Sequence, residues 1–208
     1  MAKGTWCVVL VAVGLGCRPG TGGGATFGPA RKGTAKETKY PSRIHAKRTP
    51  AAIARPNKPL TVPEAQRYFL KLVNRDREAE GLEPVAWDSV AEKAGREHAA
   101  DMAEHGFTSH HGTDGSVPEL RYTRAGGDGM VQENAACFFD EKERRLDPNP
   151  LILPEAIEKA EASFIGEKPP HDGHRRNILN ESYVDVGIDV ISDSVHGKVW
   201  LVTDFGKP

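Results

Sequence analysis

Cysteine is nearly absent, with three in 208 residues. Cys7 and Cys17 fall in the opening apolar stretch, which leaves Cys137 alone in the rest of the chain. A single thiol excludes an intrachain disulfide framework beyond residue 17. Between Ala136 and Phe138 it reads as a small core residue, not as a nucleophile. Long apolar runs are missing as well. The run 6–15 is too short to cross a bilayer core of about 30 Å as a helix. Preceded by Lys3, it fits the apolar region of a secretory signal. An excess of one charge is lacking, the net being −1, so a uniformly basic nucleic-acid binder is excluded and no nucleic-acid partner is expected. There is also no phosphate-binding glycine loop, nucleophile elbow, paired CxxC or HExxH.

That small net charge conceals two opposite segments. Residues 18–62 carry ten Lys or Arg against Glu37 alone, a charge of +9, whereas 63–208 carry −11. The basic segment has 12 Gly or Pro in its 45 positions and few large apolar residues. It cannot bury enough surface to offset its chain entropy, and it reads as a flexible tether. Its charge suits contact with an anionic membrane or cell-wall polymer, or it serves only as a solvated spacer. Gly14-Leu15-Gly16-Cys17 resembles a bacterial lipobox, in which Cys17 is lipidated, although Gly14 stands where such motifs usually carry Leu. The expected organisation is a signal peptide with a lipobox over 1–17, a basic linker over 18–62 and a folded domain over 63–208. The chain is expected to be exported, then either lipid-anchored at a bacterial membrane or secreted.

Within the domain, Thr61-Val-Pro-Glu64 has capping-box spacing, and Ala65, Phe69, Leu72 and Val73 follow on one helical stripe. Asp88 is the expected N-cap of a second helix that Gly106 stops, with His98 and His105 on its core face. A short helix is expected near 118–124, a strand over 131–139, a surface loop over 140–153, a helix from Pro154 to Phe164 and another over 173–179. Two alternating runs, 184–191 and 198–205, close the chain as a hairpin. Helices precede an antiparallel sheet without βαβ alternation, so the fold class is α+β.

Chemistry-bearing residues remain as a scatter of His and Glu: His110-His111, Glu133, Glu167, His171 and His174. Around them stand 72–77 (Leu-Val-Asn-Arg-Asp-Arg), 81–88 (Gly-Leu-Glu-Pro-Val-Ala-Trp-Asp), 107–116, Gln132-Glu-Asn-Ala135, 173–179 (Gly-His-Arg-Arg-Asn-Ile-Leu) and 200–206 (Trp-Leu-Val-Thr-Asp-Phe-Gly). This ordered set resembles bacterial members of the CAP superfamily of cysteine-rich secretory proteins, antigen 5 and pathogenesis-related protein 1. The resemblance implies a three-layer α-β-α sandwich with a central antiparallel sheet, and a cleft lined by two His and two Glu. Carried over, these are His110, Glu133, His174 and Glu167, with Glu161 the alternative to Glu167. The family often has Trp three residues before the second Glu, where this chain has Phe164.

Two neutral imidazoles on one point begin a divalent-metal site for Zn2+ or a similar ion, which His171 would extend. The alternative is a polar network without metal. The leading reading is a binding module for a lipid, sterol-like, glycan or protein ligand, and not an enzyme. Metal-dependent hydrolysis with Glu133 as base, peptidase-like or acting on the cell wall, and an envelope structural role are the alternatives.

Overall fold

A computed structural model of the chain describes residues 7–10, 46–139 and 151–207. The lipobox with Cys17, the tether up to residue 45 and residues 140–150 of the loop expected over 140–153 lie outside the described residues. In chain order the elements are β1 (Cys7–Leu10), α1 (Val62–Ala79), β2 (Ala86–Trp87), α2 (Ser89–His105), α3 (Pro118–Ala125), β3 (Met130–Phe139), α4 (Pro154–Ile165), α5 (Gly173–Ile178), β4 (Asp185–Asp193) and β5 (Lys198–Lys207). The sheet runs β1-β3-β5-β4-β2. Its centre is antiparallel, with Glu133 opposite Asp204 and Asp204 opposite Gly187. The edge departs from the expected pattern, because β2 pairs parallel to β4 at Ala86–Asp185 and Trp87–Val186. Two residues are too few to show a strand period in sequence.

Local signals explain the helix ends. At the start of α1 the Glu64 carboxylate accepts from the Thr61 amide at 2.9 Å and from its hydroxyl at 3.0 Å. Asp88 caps α2 by accepting from the Val90 amide at 2.7 Å. Gly106 ends that helix at φ 68°, in the left-handed region that side chains disfavour. His98 is buried on the core face of α2, but His105 is exposed and lies beside the Asp101 carboxylate at 3.1 Å. The helical stripe therefore ends one turn earlier than its spacing suggests, where an acidic residue gives His105 a partner on the solvent side.

Pleating sends alternate residues to opposite layers. Leu201 and Phe205 of β5 join Phe69, Phe138, Phe164 and Ile188 in one core, while Trp200 and Val202 join Met102 and Ala135 in another. Helices α2 and α3 thus cover one face, and α1, α4 and α5 the other, giving the α-β-α sandwich. The α2 side depends on a bare backbone at Gly187, whose missing Cβ would lie 2.0 Å from the Glu92 amide nitrogen.

Folded structure begins upstream of residue 63. Leu60 is buried and pairs with Ile152 through backbone bonds of 2.7 and 2.8 Å, and Ile53 packs against the main core. Arg55 binds Glu158, and Lys47 pairs with Glu80. The last part of the expected linker is therefore a lead-in that crosses α1 and α4. Its large apolar residues are sparse, Ile53 and Leu60 alone within 51–60, which is why composition alone reads the segment as uniform tether. Between this lead-in and α1 lies a groove of about 650 Å3, walled by Arg48, Ile53, Leu70, Lys71 and Leu82. At the other end, β1 pairs antiparallel with β3, Cys7 opposite Phe139 and Leu10 opposite Ala136. Residues Cys7–Leu10 of the stretch expected to stand apart from the fold thus lie as a strand on the apolar edge of β3, which would otherwise offer unpaired backbone groups.

Candidate functional site

His110 sits in the connection between α2 and α3, and that connection is tied down at several points. Asp101 accepts from the Thr113 amide at 2.8 Å and hydroxyl at 2.6 Å, and Asp114 accepts from the Ser116 amide at 2.8 Å. Trp200 donates its indole N–H to the Phe107 carbonyl at 3.1 Å. His98 holds the Ser109 carbonyl at 2.6 Å from Nε2. Burial lowers the pKa of His98, and because a carbonyl oxygen can only accept, Nε2 is the donor.

His110 then meets Glu133 of β3, Nδ1 to Oε1, at 2.8 Å. The other oxygen of Glu133 accepts from the Arg121 guanidinium at 2.6 Å, and Arg121 also donates to the carbonyls of His110 at 3.1 Å and Ser116 at 3.0 Å. Both Arg121 and Glu133 are buried. Nε2 of His110 is buried and has no hydrogen-bond partner.

Glu167 and His174 form a second pair on the opposite side of β3. Glu167 takes Nδ1 of His174 at 2.5 Å and its backbone amide at 2.9 Å. The imidazole stacks on Phe164 with ring centres 4.7 Å apart. The aromatic three residues before Glu167 therefore sets the plane of the His ring.

Adjacent strand residues brace the two pairs. Glu133 belongs to the first, while Asn134 donates to the His174 carbonyl at 3.3 Å. Asn177 of α5 donates to the Glu133 carbonyl at 3.3 Å and to the Asn134 side-chain oxygen at 2.8 Å. One peptide unit of β3 thus connects both dyads.

Other sequence-selected residues lie elsewhere. Glu161 is buried in α4 near Asp76 and Arg75 of α1, where burial, reinforced by the neighbouring Asp76 carboxylate, pushes its pKa well above the usual carboxylate range. It faces the helix layer and takes no part in the cleft. His171 is exposed in the turn closed by its amide on the Lys168 carbonyl, before α5 begins, so it does not share a helical face with His174. Arg121, Asn134 and Asn177 went unselected. Only the positions of Asn134 and Asn177, one residue from Glu133 and three from His174, offered any signal.

The comparisons decide the family. The pattern of the cysteine-rich secretory protein family, CAP, matches residues 70–205. The chain belongs to the CAP family. Among known proteins it is similar to the uncharacterized protein YkwD of Bacillus subtilis, 25% identical over 187 residues, covering 88% of this chain and 63% of that one. An extracellular protein of Bacillus anthracis containing an SCP domain shares the fold at a TM-score of 0.55 and 19% identity, over 73% of this chain and 45% of that one. An outer surface protein of Borrelia burgdorferi does so at 0.55 and 14%, over 73% of this chain and 98% of that one. These similarities place the chain among bacterial CAP proteins with the SCP-type sandwich. No helix among the described residues is long and apolar enough to cross a membrane.

As a metal site the residues fit in part. Carboxylates occupy Nδ1 of both imidazoles, the arrangement that leaves Nε2 to a metal. Among the described residues no group of three or more His, Cys, Asp or Glu is placed to hold one. His110 and His174 would be the residues to hold one, with water or a ligand atom completing the coordination.

Proposed function

We propose that this CAP protein is an exported, surface-tethered binding module whose two His–Glu dyads present imidazole Nε2 atoms to a divalent cation or a polar ligand group. The arrangement of Glu133 supports binding over hydrolysis. Both of its oxygens are engaged, by His110 and Arg121, so neither is free to take a proton from water. Ser109, a conceivable nucleophile, spends its hydroxyl oxygen on the His111 amide at 3.0 Å. The export reading rests on the apolar leader, the +9 segment and the extracellular or surface character in the names of two structural relatives. For the ligand, the groove beside α1 combines the apolar Ile53, Leu70 and Leu82 with Arg48 and Lys71, which suits a lipid or sterol-like body bearing an acidic group.

Zinc titration by calorimetry tests the cleft. The wild-type chain is expected to bind with modest affinity, and His110→Ala/His174→Ala to lose binding; equal titrations would remove the metal from the reading. Peptidase, amidase or lipase turnover by the zinc-loaded wild type, absent in that double variant, would replace binding with hydrolysis.

A further inference from the structure

The two edges of the sheet are protected differently. On the outer side of β4, β2 reaches only Asp185 and Val186, and the strand beyond them is guarded. Gln66 of α1 donates its side-chain amide to the Ile188 carbonyl at 2.9 Å and to the Asp189 carboxylate at 3.0 Å. Asp189, an acid 2% exposed, stands in the middle of that strand with the Arg96 guanidinium 3.8 Å away. A buried charge and an occupied carbonyl are means by which an edge refuses another strand. β3 carries no such guard over 136–139, which read Ala-Cys-Phe-Phe without a charge or a proline. Toward Met130 a side chain takes a strand acceptor, Asn177 of α5 donating to the Glu133 carbonyl at 3.3 Å. Over 136–139 the partner is a strand instead, Cys7–Leu10, antiparallel and equally uncharged, with Val8 opposite Phe138 and Val9 opposite Cys137.

From this contrast we infer that the edge of β3 over Ala136–Phe139 is a strand-acceptor site, which takes an extended, uncharged apolar segment of a partner polypeptide in antiparallel pairing once residues 7–10 have left it. The inference rests on the export reading, in which residues 1–17 are removed. Their removal leaves the core intact, because among the described residues the three apolar clusters draw only on positions from Ile53 to Phe205. What it uncovers is a row of backbone donors and acceptors flanked by apolar side chains. Ala136 and Phe138 are buried in the core shared with α1 and α4, while Cys137 is half-buried against the core under α2. Backbone pairing supplies the affinity, and the absence of charge sets the selection. An acid or a lysine in the incoming strand would be set against Ala136 or Phe138, side chains that cannot pair with it. The segment Cys-Val-Val-Leu gives the pattern the edge accepts, with β-branched residues at its centre. A ladder of four residue pairs buries far less than a dimer of folded copies requires, so the site suits an extended segment and not a second β3.

The probe is a dye-labelled peptide of residues 5–12 with Cys7→Ser, titrated by fluorescence anisotropy into a chain started at residue 18. Saturable binding of one peptide per chain is expected. Methylating the backbone nitrogen of Val8 or of Val9 in the peptide separates a ladder from apolar adsorption, because consecutive N–H groups of a strand point to opposite sides. One of the two modifications should abolish binding and the other leave it nearly unchanged. Equal effects of both, or no saturable binding, would overturn the inference. In the full-length chain residues 7–10 compete from within, so the peptide should bind about tenfold more weakly or worse. Val8→Pro/Val9→Pro in the full-length chain withdraws that strand and should restore binding, which also serves should the chain started at 18 not fold. Equal affinity of the full-length wild type and the open-edge chains would place the peptide elsewhere and overturn the site. A dimer of the open-edge chain that excess peptide does not dissociate would overturn it as well, by giving the edge to a second copy. The intact mass of the exported protein reads leader removal separately; a retained leader would refute that part of the export reading and leave the acceptor edge standing on the peptide titration.

Discussion

Glu161 places a carboxyl group in the interface between α4 and α1, 1% exposed, beside Asp76. Burial, then the nearby Asp76 carboxylate, raises its pKa. Between the ordinary glutamate value and this raised one, the folded chain keeps a proton that the unfolded chain has released. Stability therefore falls as pH rises through that window. Glu161→Gln, which keeps the shape and removes the titration, is expected to flatten this slope. It should be more stable than wild type by roughly 1–3 kcal/mol at pH 8 and nearly equal at pH 4, as read by urea denaturation. Spacing from an aromatic pointed to Glu167, and the structure gives that spacing a cause in the stacking of Phe164 on His174. Arg121 was not legible in the same way. A buried arginine looks like a surface one until the acid it serves, twelve residues later in the chain, has been located by strand pairing.

Helix α2 lies against β4 and β5, and the contact is closest over Gly187. A methyl group there would meet the backbone of Ala91 and Glu92 at 2.2 and 2.0 Å, atoms that cannot move without lifting the helix. Gly187→Ala is expected to lower unfolding free energy by about 3 kcal/mol, measured by chemical denaturation, and to weaken cleft binding in proportion to the displacement of His98. The helices α1, α2 and α4 could be placed in the sequence because caps and apolar periodicity agree at those positions. β2 could not, being two exposed residues whose only regular feature is the partner they find in β4. The same limit explains His105, where helical spacing gives an angle around the axis but not where the core ends along it.

At the scale of the whole molecule, a −11 domain is entered through a basic segment whose last residues are already structured. Arg55, Lys58 and Lys47 lie against Glu158, Glu64 and Glu80, so part of the +9 charge is answered within the fold. These exposed pairs contribute little singly; burial of Leu60 and Ile53 contributes more. A chain started at residue 46 should melt with one started at residue 18, while a chain started at residue 63 should melt about 5–10 °C lower by calorimetry. Docking of the tether on anionic vesicles should weaken with salt, and should survive in the 18–208 chain but not in one started at 46, because three of the four basic residues that remain before α1, Lys47, Arg55 and Lys58, are already paired with acids of the domain.

The peptide unit joining Glu133 to Asn134 ties the two dyads to one point of the sheet, and the register of β3 on β5 fixes that point. A slip of one residue would send Glu133 to the layer that Asn134 now serves. The Glu133 contacts with His110 and Arg121 are therefore expected to last up to the temperature at which β3 leaves the sheet, and then to disappear together with the fold.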